Sequence, residues 1–215
     1  LMQQQKQLET ATDEQRDKWY QAAGIYQQTK AKYESLHELT SKYNNYYHGV
    51  KEVLLAKQQL PGIVGSVAEL IQVPEKLSLA IETVLASQLQ NVIVTNEQAA
   101  KTAIAFLKEH HFGRVTFLPQ TTIKPRQLNH QLQLQLAKLT GVIGVASQLV
   151  LISPENKNIL AHLIGTTIIV KKLDDALKVA KKLNFSCRIV SLAGDVVNAG
   201  GAISGGSVKR VNGLL

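Results

Sequence analysis

Near the C-terminal end, the run Gly194-Asp195-Val196-Val197-Asn198-Ala199-Gly200-Gly201-Ala202-Ile203-Ser204-Gly205-Gly206-Ser207 holds five of the chain's 14 glycines. The first chemistry such a loop suggests is phosphate binding, in which backbone N–H groups cradle the anion. Gly201 and Gly206 satisfy the G-x-x-x-x-G frame, but the next two positions are Ser207 and Val208 rather than Lys and Ser/Thr. Lys209 comes two positions late, and no hydroxyl follows it to hold magnesium. The dinucleotide fingerprint G-x-G-x-x-G is also missing. What remains is the other use of clustered glycine: removing Cβ atoms where φ must be positive or where chains approach closely.

The other residue types capable of chemistry are scattered. Six histidines, His37, His48, His110, His111, His130 and His162, form no H-E-x-x-H frame, and Cys187 is the lone cysteine. One thiol makes neither an internal disulfide nor the usual structural zinc sets. Within the apolar run Cys187-Arg188-Ile189-Val190 it reads as a small buried hydrophobe, and a single cysteine suits a reducing, cytoplasmic compartment. His110-His111 falls at a helix end, where a cation suits the dipole. Among carboxylates beyond residue 48 only Asp174-Asp175 are adjacent, and Asp195 beside Gly194 suits a turn. No G-x-S-x-G elbow occurs. The expectation is a chain without catalytic residues, metal or cofactor, and without a membrane span or leader.

Charge is informative. The net charge is +8, and residues 126–215 carry eleven basic against four acidic side chains, whereas residues 1–48 balance and residues 49–125 carry +1. Clustered positive charge favours a polyanion such as nucleic acid, although a solvated lysine face accounts for it equally well.

The elements that must position these residues fall into three regions. Residues 1–47 contain no proline and are rich in Gln, Lys, Glu and Ala. With Leu1 at heptad position a, nine of the fourteen a and d positions are apolar, which predicts a coiled-coil helix. Gly24 and the polar seam residues leave it in need of a partner helix. From Gly49 onward, short β-branched runs alternate with amphipathic stretches, and an internal repeat appears. Gly62-Ile-Val-Gly65 parallels Gly141-Val-Ile-Gly144, Val92-Ile-Val94 parallels Ile168-Ile-Val170, and Arg114-Val-Thr-Phe-Leu118 parallels Arg188-Ile-Val-Ser-Leu192. Each copy reads strand, helix, strand, helix, strand. Pro74 opens a helix over residues 75–89, Thr95-x-x-Gln98 reads as a capping box, and Ser153-Pro154 reads as an N-cap with proline at N1. Asp174-Asp175 begin a helix with Ala176, Leu177, Ala180 and Leu183 inward and Lys178, Lys181 and Lys182 outward. The fold class is α/β (α+β): two repeated mixed α/β lobes preceded by a coiled-coil helix. The boundaries are an arm at 1–47, a first lobe at 48–125, a second at 126–208, and the start of a returning arm at 209–215.

Four motifs carry a family resemblance. They are Gly49-Val-Lys-Glu-Val-Leu54, Gly62-Ile-Val-Gly65-x-Val-x-x-Leu70, Gly113-Arg114-Val-Thr-Phe-Leu-Pro119 and the glycine-rich run itself. Over about residues 48–210 the chain resembles the hinge domain of bacterial SMC proteins, the chromosome-organising ATPases, with GRATFLPL and GDVVNPGG…TGG as the family's patterns. Ala199 stands where that pattern has proline, and Ser204 where it has threonine. The resemblance implies a homodimer in which the second lobe of one subunit meets the first lobe of the other, with Gly200, Gly201, Gly205 and Gly206 at the interface. It implies two coiled-coil arms joined into a ring or V, an antiparallel return helix as each arm's partner, and ATPase heads at the far ends of the arms. A nucleoid-associated protein of chromosome condensation and segregation follows. Sequence-independent DNA binding is implied near where the arms leave. Lys209 and Arg210 match the family's basic pair, while Lys171, Lys172, Lys181 and Lys182 rest on charge alone. Two alternatives stand beside this reading: a nucleic-acid-binding module whose self-association is incidental, and a nucleotide-dependent enzyme, which the failed phosphate frame disfavours.

Overall fold

The computed structural model describes residues 15–34, 43–136 and 138–206. Two compact units divide the chain, Leu1–Asn44 and Asn45–Leu215. In the first, residues 15–34 form one helix, α1. It forms within the segment read as an arm, and it carries aromatic residues beside the heptad seam. Within these residues the a and d positions include Gln15, Lys18, Thr29 and Lys32, whereas Trp19, Tyr26 and Tyr33 recur every seven residues one place beyond d. All three rings are exposed, as is Ile25. Seam residues and aromatic residues are thus exposed alike.

The second unit opens with α2 (His48–Leu55), β1 (Ile63–Ser66), α3 (Val67–Leu70) and β2 (Ile71–Gln72). It continues through α4 (Ser78–Leu85), β3 (Val92–Val94), α5 (Glu97–Glu109) and β4 (Phe117–Pro119). The second half repeats the order, with a 3-10 turn (Ala146–Gln148) in the place of α3: α6 (His130–Leu136), β5 (Val142–Val145), β6 (Leu151–Ile152), α7 (Lys157–Ile164), β7 (Thr167–Val170), α8 (Leu173–Lys182) and β8 (Arg188–Ser191). It then adds β9 (Val196–Val197) and β10 (Ile203–Ser204). The strands form a three-stranded sheet ordered β1-β3-β4, a five-stranded sheet ordered β10-β9-β8-β7-β5, and a two-stranded pair β2-β6.

The repeat is visible in the ladders. β1 pairs antiparallel with β3 and β5 with β7, each with a register shift between the first strand residue and its glycine. Gly65 faces Ile93 and Gly144 faces Ile169, so the repeat runs at offsets of 79 and 76 residues. β3–β4 and β7–β8 are both parallel. Here the sequence alignment slips. Ile93 pairs with Leu118 and Ile169 with Val190, so the counterpart of Leu118 is Val190 at an offset of 72, not Leu192 at 74. Because side chains alternate faces with period two, a two-residue slip preserves the in/out pattern, and the motifs looked equally well matched either way.

Local chemistry also revises two boundaries. The helix expected over 75–89 is a 3-10 turn Glu75–Leu77, then α4, then a 3-10 turn Ala86–Gln90. The break falls at Ala86, whose φ is +47°. The cap of α5 is Asn96, whose side chain accepts from the Ala99 N–H at 2.9 Å; Thr95 is one residue too early. The capping box that does form is Ser66 with Glu69, at the start of α3. α8 forms as read, with Asp174 and Asp175 in its first turn and Lys181 and Lys182 in its last, a distribution that complements the helix dipole.

One core binds the two lobes. Ile81, Leu85 and Ile93 from the first cluster with Ile159, Ile164, Ile169 and Val190 from the second. β2 and β6 cross-pair, Ile71 with Ile152 and Gln72 with Leu151. Two side chains reinforce the join. Arg188 donates through Nη1 to the Val84 carbonyl near the end of α4 at 3.2 Å, and Gln120 donates to the Asn156 Oδ1 at 2.8 Å. A cation at a helix C-terminus meets both the free carbonyls and the negative end of the dipole.

Candidate interaction surfaces

The glycine-rich run folds as a turn and a hairpin. At the β8–β9 turn the Asp195 N–H donates to Ser191 Oγ at 3.0 Å, and that hydroxyl donates back to Asp195 Oδ2 at 2.8 Å. Asp195 therefore closes a turn, as its place beside Gly194 suggested. Beyond β9, Asn198 N–H donates to Ala202 O and Gly201 N–H to Asn198 O, reversing the chain into β10. Gly200 and Gly201 adopt φ of +87° and +96°, which L-residues rarely take, so the hairpin itself requires them. A Cβ on Gly205 would stand 2.8 Å from Asp195 Oδ1, whereas one on Gly206 would meet nothing within 4 Å.

β10 is the edge of the five-stranded sheet, paired with β9 on one side only. Ile203 on it is 56% exposed, an apolar side chain on an open strand. β4 is the corresponding edge of the three-stranded sheet. β10 thus offers the kind of edge that templates strand pairing with another chain, whereas on β4 Pro119 has no N–H and its carbonyl accepts from Thr122 and Ile123, which leaves Phe117 as that edge's main-chain donor. The sequence reading named the four glycines and missed Ile203 and β4. The signal for Ile203 was a short apolar-polar pair, Ile203-Ser204, set between glycines.

Of the basic residues, Lys171 and Lys172 lie where β7 passes into α8, and Lys181 and Lys182 lie in its last turn; all four are exposed. A ten-residue helix separates the two pairs by about 15 Å. Lys178, also exposed, stands with the second pair, and Asp174 and Asp175 stand between the pairs. The structure therefore gathers Lys178, Lys181 and Lys182 and keeps Lys171 and Lys172 apart from them. Lys209 and Arg210 lie outside the described residues. Among the described residues there is no group of three or more His, Cys, Asp or Glu side chains that could hold a metal ion, and no helix long and apolar enough to cross a membrane.

Residues 60–180 match the family model for the SMC proteins flexible hinge domain. The chain is 41% identical over 219 aligned residues to the chromosome partition protein Smc of Lactiplantibacillus plantarum, covering all of this chain and 18% of that protein. It is 42% identical to the Bacillus subtilis protein of the same name, covering 91% and 16%. The chain thus spans less than a fifth of the length of these relatives. An asymmetric dimer of the Geobacillus stearothermophilus SMC hinge domain superposes with a TM-score of 0.77 at 40% identity, covering 91% of this chain and 80% of that one. The Pyrococcus furiosus hinge domain superposes at 0.61 with 29% identity, covering 79% and 89%.

Proposed function

The chain belongs to the SMC flexible hinge family, and we propose that it is a homodimerisation hinge that joins two coiled-coil arms and offers a basic, sequence-independent DNA-binding surface. The observation that carries the dimer is the placing of β10 and β4 as the outer strands of their two sheets, with apolar Ile203 exposed on the first. β10 of one copy adds to β4 of the other, and the same contact recurs under a two-fold axis, so the interface is isologous and closes with two copies. Ile203 leaves water at each contact. Gly200 and Gly201 contribute by setting the hairpin that presents β10, and Gly205 and Gly206 leave the strand's far end free of side chains. The arm helix, with its aromatic stripe, takes the antiparallel return helix as partner. ATP hydrolysis, on this reading, is work for head domains elsewhere in the longer protein, which acts on the chromosome in the cytoplasm.

The test is absolute mass by light scattering across a dilution series. The chain of 23.6 kDa is expected at twice that mass down to nanomolar concentration. Ile203→Asp, which places a charge on the open edge without touching the hairpin's own bonds, is expected to reduce it to a single-chain mass with an unchanged melting curve. A Gly205→Asp/Gly206→Asp variant tests the same contact, although Gly205→Asp also crowds Asp195. Folded variants that stay dimeric at low micromolar concentration refute the assignment.

A further inference from the structure

The two lobes differ most at the outer edges of their bulged strands, β1 and β5. At the repeat offset of 79, Leu60-Pro-Gly62-Ile-Val64-Gly65-Ser66 corresponds to Leu139-Thr-Gly141-Val-Ile143-Gly144-Val145. In the first lobe that edge is closed by polar contacts. Lys57 Nζ donates to the Val64 carbonyl at 2.7 Å. Ser66 and Glu69 complete the capping box, and the Tyr46 hydroxyl bonds Ser66 Oγ at 2.9 Å. In the second lobe the same three places hold Leu136 for Lys57, Val145 for Ser66 and Gln148 for Glu69. Each polar closing group is gone, and Leu136 and Val145 are buried in the second lobe's own core instead. Three of the four β1 residues are buried, but only Val145 of β5 is.

A groove of about 410 Å³ runs along β5, lined by Gln133, Leu136, Leu139, Ile143 and Gln148 among others. It shares Gln133, Val145 and Gln148 with a second groove of about 510 Å³ that reaches Gln127, Ser147 and Lys157. Both volumes fall within the range of ligand sites. Gln133 and Gln148 bring amides to the walls and Leu136 and Leu139 bring apolar surface; among the described residues no carboxylate lines either groove, while Lys157 supplies a positive charge. Ile143, the bulge residue, has no ladder partner on β7, and its counterpart Val64 turns its carbonyl outward to Lys57. Ile143 thus lines the groove and lies outside the β5–β7 ladder.

We propose that the edge of β5 binds an extended segment of a partner protein, added as a further strand, with apolar side chains at alternate positions and acidic flanks. The open edge calls for a strand, the leucines and the period of two call for alternating apolar side chains, and Lys157 in a strongly basic lobe calls for acidic flanks. β5 and β10 are opposite edges of one sheet, so this site and the dimer contact are occupied independently. The inference does not rest on the dimer.

The probe is a short fluorescent peptide of alternating valine and threonine flanked by aspartates, titrated into the full chain and followed by anisotropy and by backbone amide NMR. Saturable binding is expected, with shifts confined to residues 142–148 and neighbouring groove walls. A peptide with proline at its centre is expected to bind about tenfold more weakly, since it loses main-chain hydrogen bonds. Ile143→Pro removes a donor outside the β5–β7 ladder and is expected to weaken binding similarly. Should that variant fail to fold, Gln148→Trp decides: Gln148 is exposed, and an indole there fills both grooves without touching the core. Absence of saturable binding, equal affinity for the proline peptide, or unchanged affinity in Gln148→Trp overturns the proposal. So does loss of the two-chain mass in Gln148→Trp, which would make the occupant a second copy, or displacement of the peptide by a short DNA oligonucleotide, which would make it nucleic acid.

Discussion

Two lobes of one design meet water differently. Both place a bulged strand against a central strand and run a parallel third strand beside it, and both feed the same core. The first ends its strand edge with a lysine, a capping box and a tyrosine hydroxyl. The second substitutes Leu136, Val145 and Gln148 for Lys57, Ser66 and Glu69. Repetition is thus strict in how the strands pair and relaxed along the outer strand edge, where even buried Ser66 gives way to buried Val145. A buried strand tolerates little change in volume, whereas an edge position is free to be closed or left open.

The sharpest way to break this comparison is to attack the shared core from each side. Ile93 and Ile169 occupy equivalent places in the two ladders, and both are fully buried. Ile93→Ala and Ile169→Ala are each expected to cost about 2–5 kcal/mol, similar in the two lobes, with unfolding by denaturant remaining a single transition. Two separated transitions, one displaced by each substitution, would mean that the lobes are independent domains and that the common cluster does not couple them.

Next in size is the contrast between α5 and α8, the equivalent outer helices. α5 balances Glu97 and Glu109 against Lys101 and Lys108, whereas α8 ends in Lys178, Lys181 and Lys182. Charge reversal, Lys181→Glu/Lys182→Glu, is expected to weaken binding to short duplex DNA about tenfold at low salt, and less as salt rises. Lys101→Glu/Lys108→Glu is expected to change it less than about threefold. Equal losses would assign the effect to net charge and remove α8 from the surface.

These contrasts also mark how far the sequence could be read. The repeat, the alternation of elements and the inward face of α8 were legible, because they follow from periodicity and glycine spacing. The β3–β4 register was not: a two-residue slip changes no pattern of burial, and only the ladder of hydrogen bonds decides it. The edges proposed to meet in the dimer were half legible. Gly200 and Gly201 stood out by type, but the strand they present, and β4 opposite it, become edges only once the sheet order is known. The open groove beside β5 was invisible, since Leu136, Val145 and Gln148 are unremarkable until set against Lys57, Ser66 and Glu69.

A smaller effect tests the capping box directly. Ser66→Val installs the second lobe's residue at a fully buried N-cap. It strips Glu69 and Tyr46 of a partner and is expected to cost about 1–2 kcal/mol in chemical unfolding. A neutral result would show that the first lobe's edge is closed by packing alone.

The smallest effect lies in pH. Burial raises the Tyr46 phenol above its ordinary value of 10.0, with Glu69 adding to the rise and the Ser66 hydrogen bond opposing it. The folded chain therefore holds this proton more tightly than the unfolded chain does. Its contribution is complete below pH 10.0 and is lost as pH rises through the higher folded value. Tyr46→Phe keeps the ring and drops the ionisation. At neutral pH it is expected to be less stable by about 1 kcal/mol at most, for one lost hydrogen bond. Above pH 10 the parent loses stability that the variant does not, so the gap between their unfolding curves should narrow. Other tyrosines and lysines titrate there in both proteins and cancel in the difference. A gap that stays constant through this range would mean that Tyr46 ionises as freely folded as unfolded, and that the polar closure of the first lobe is open to water after all.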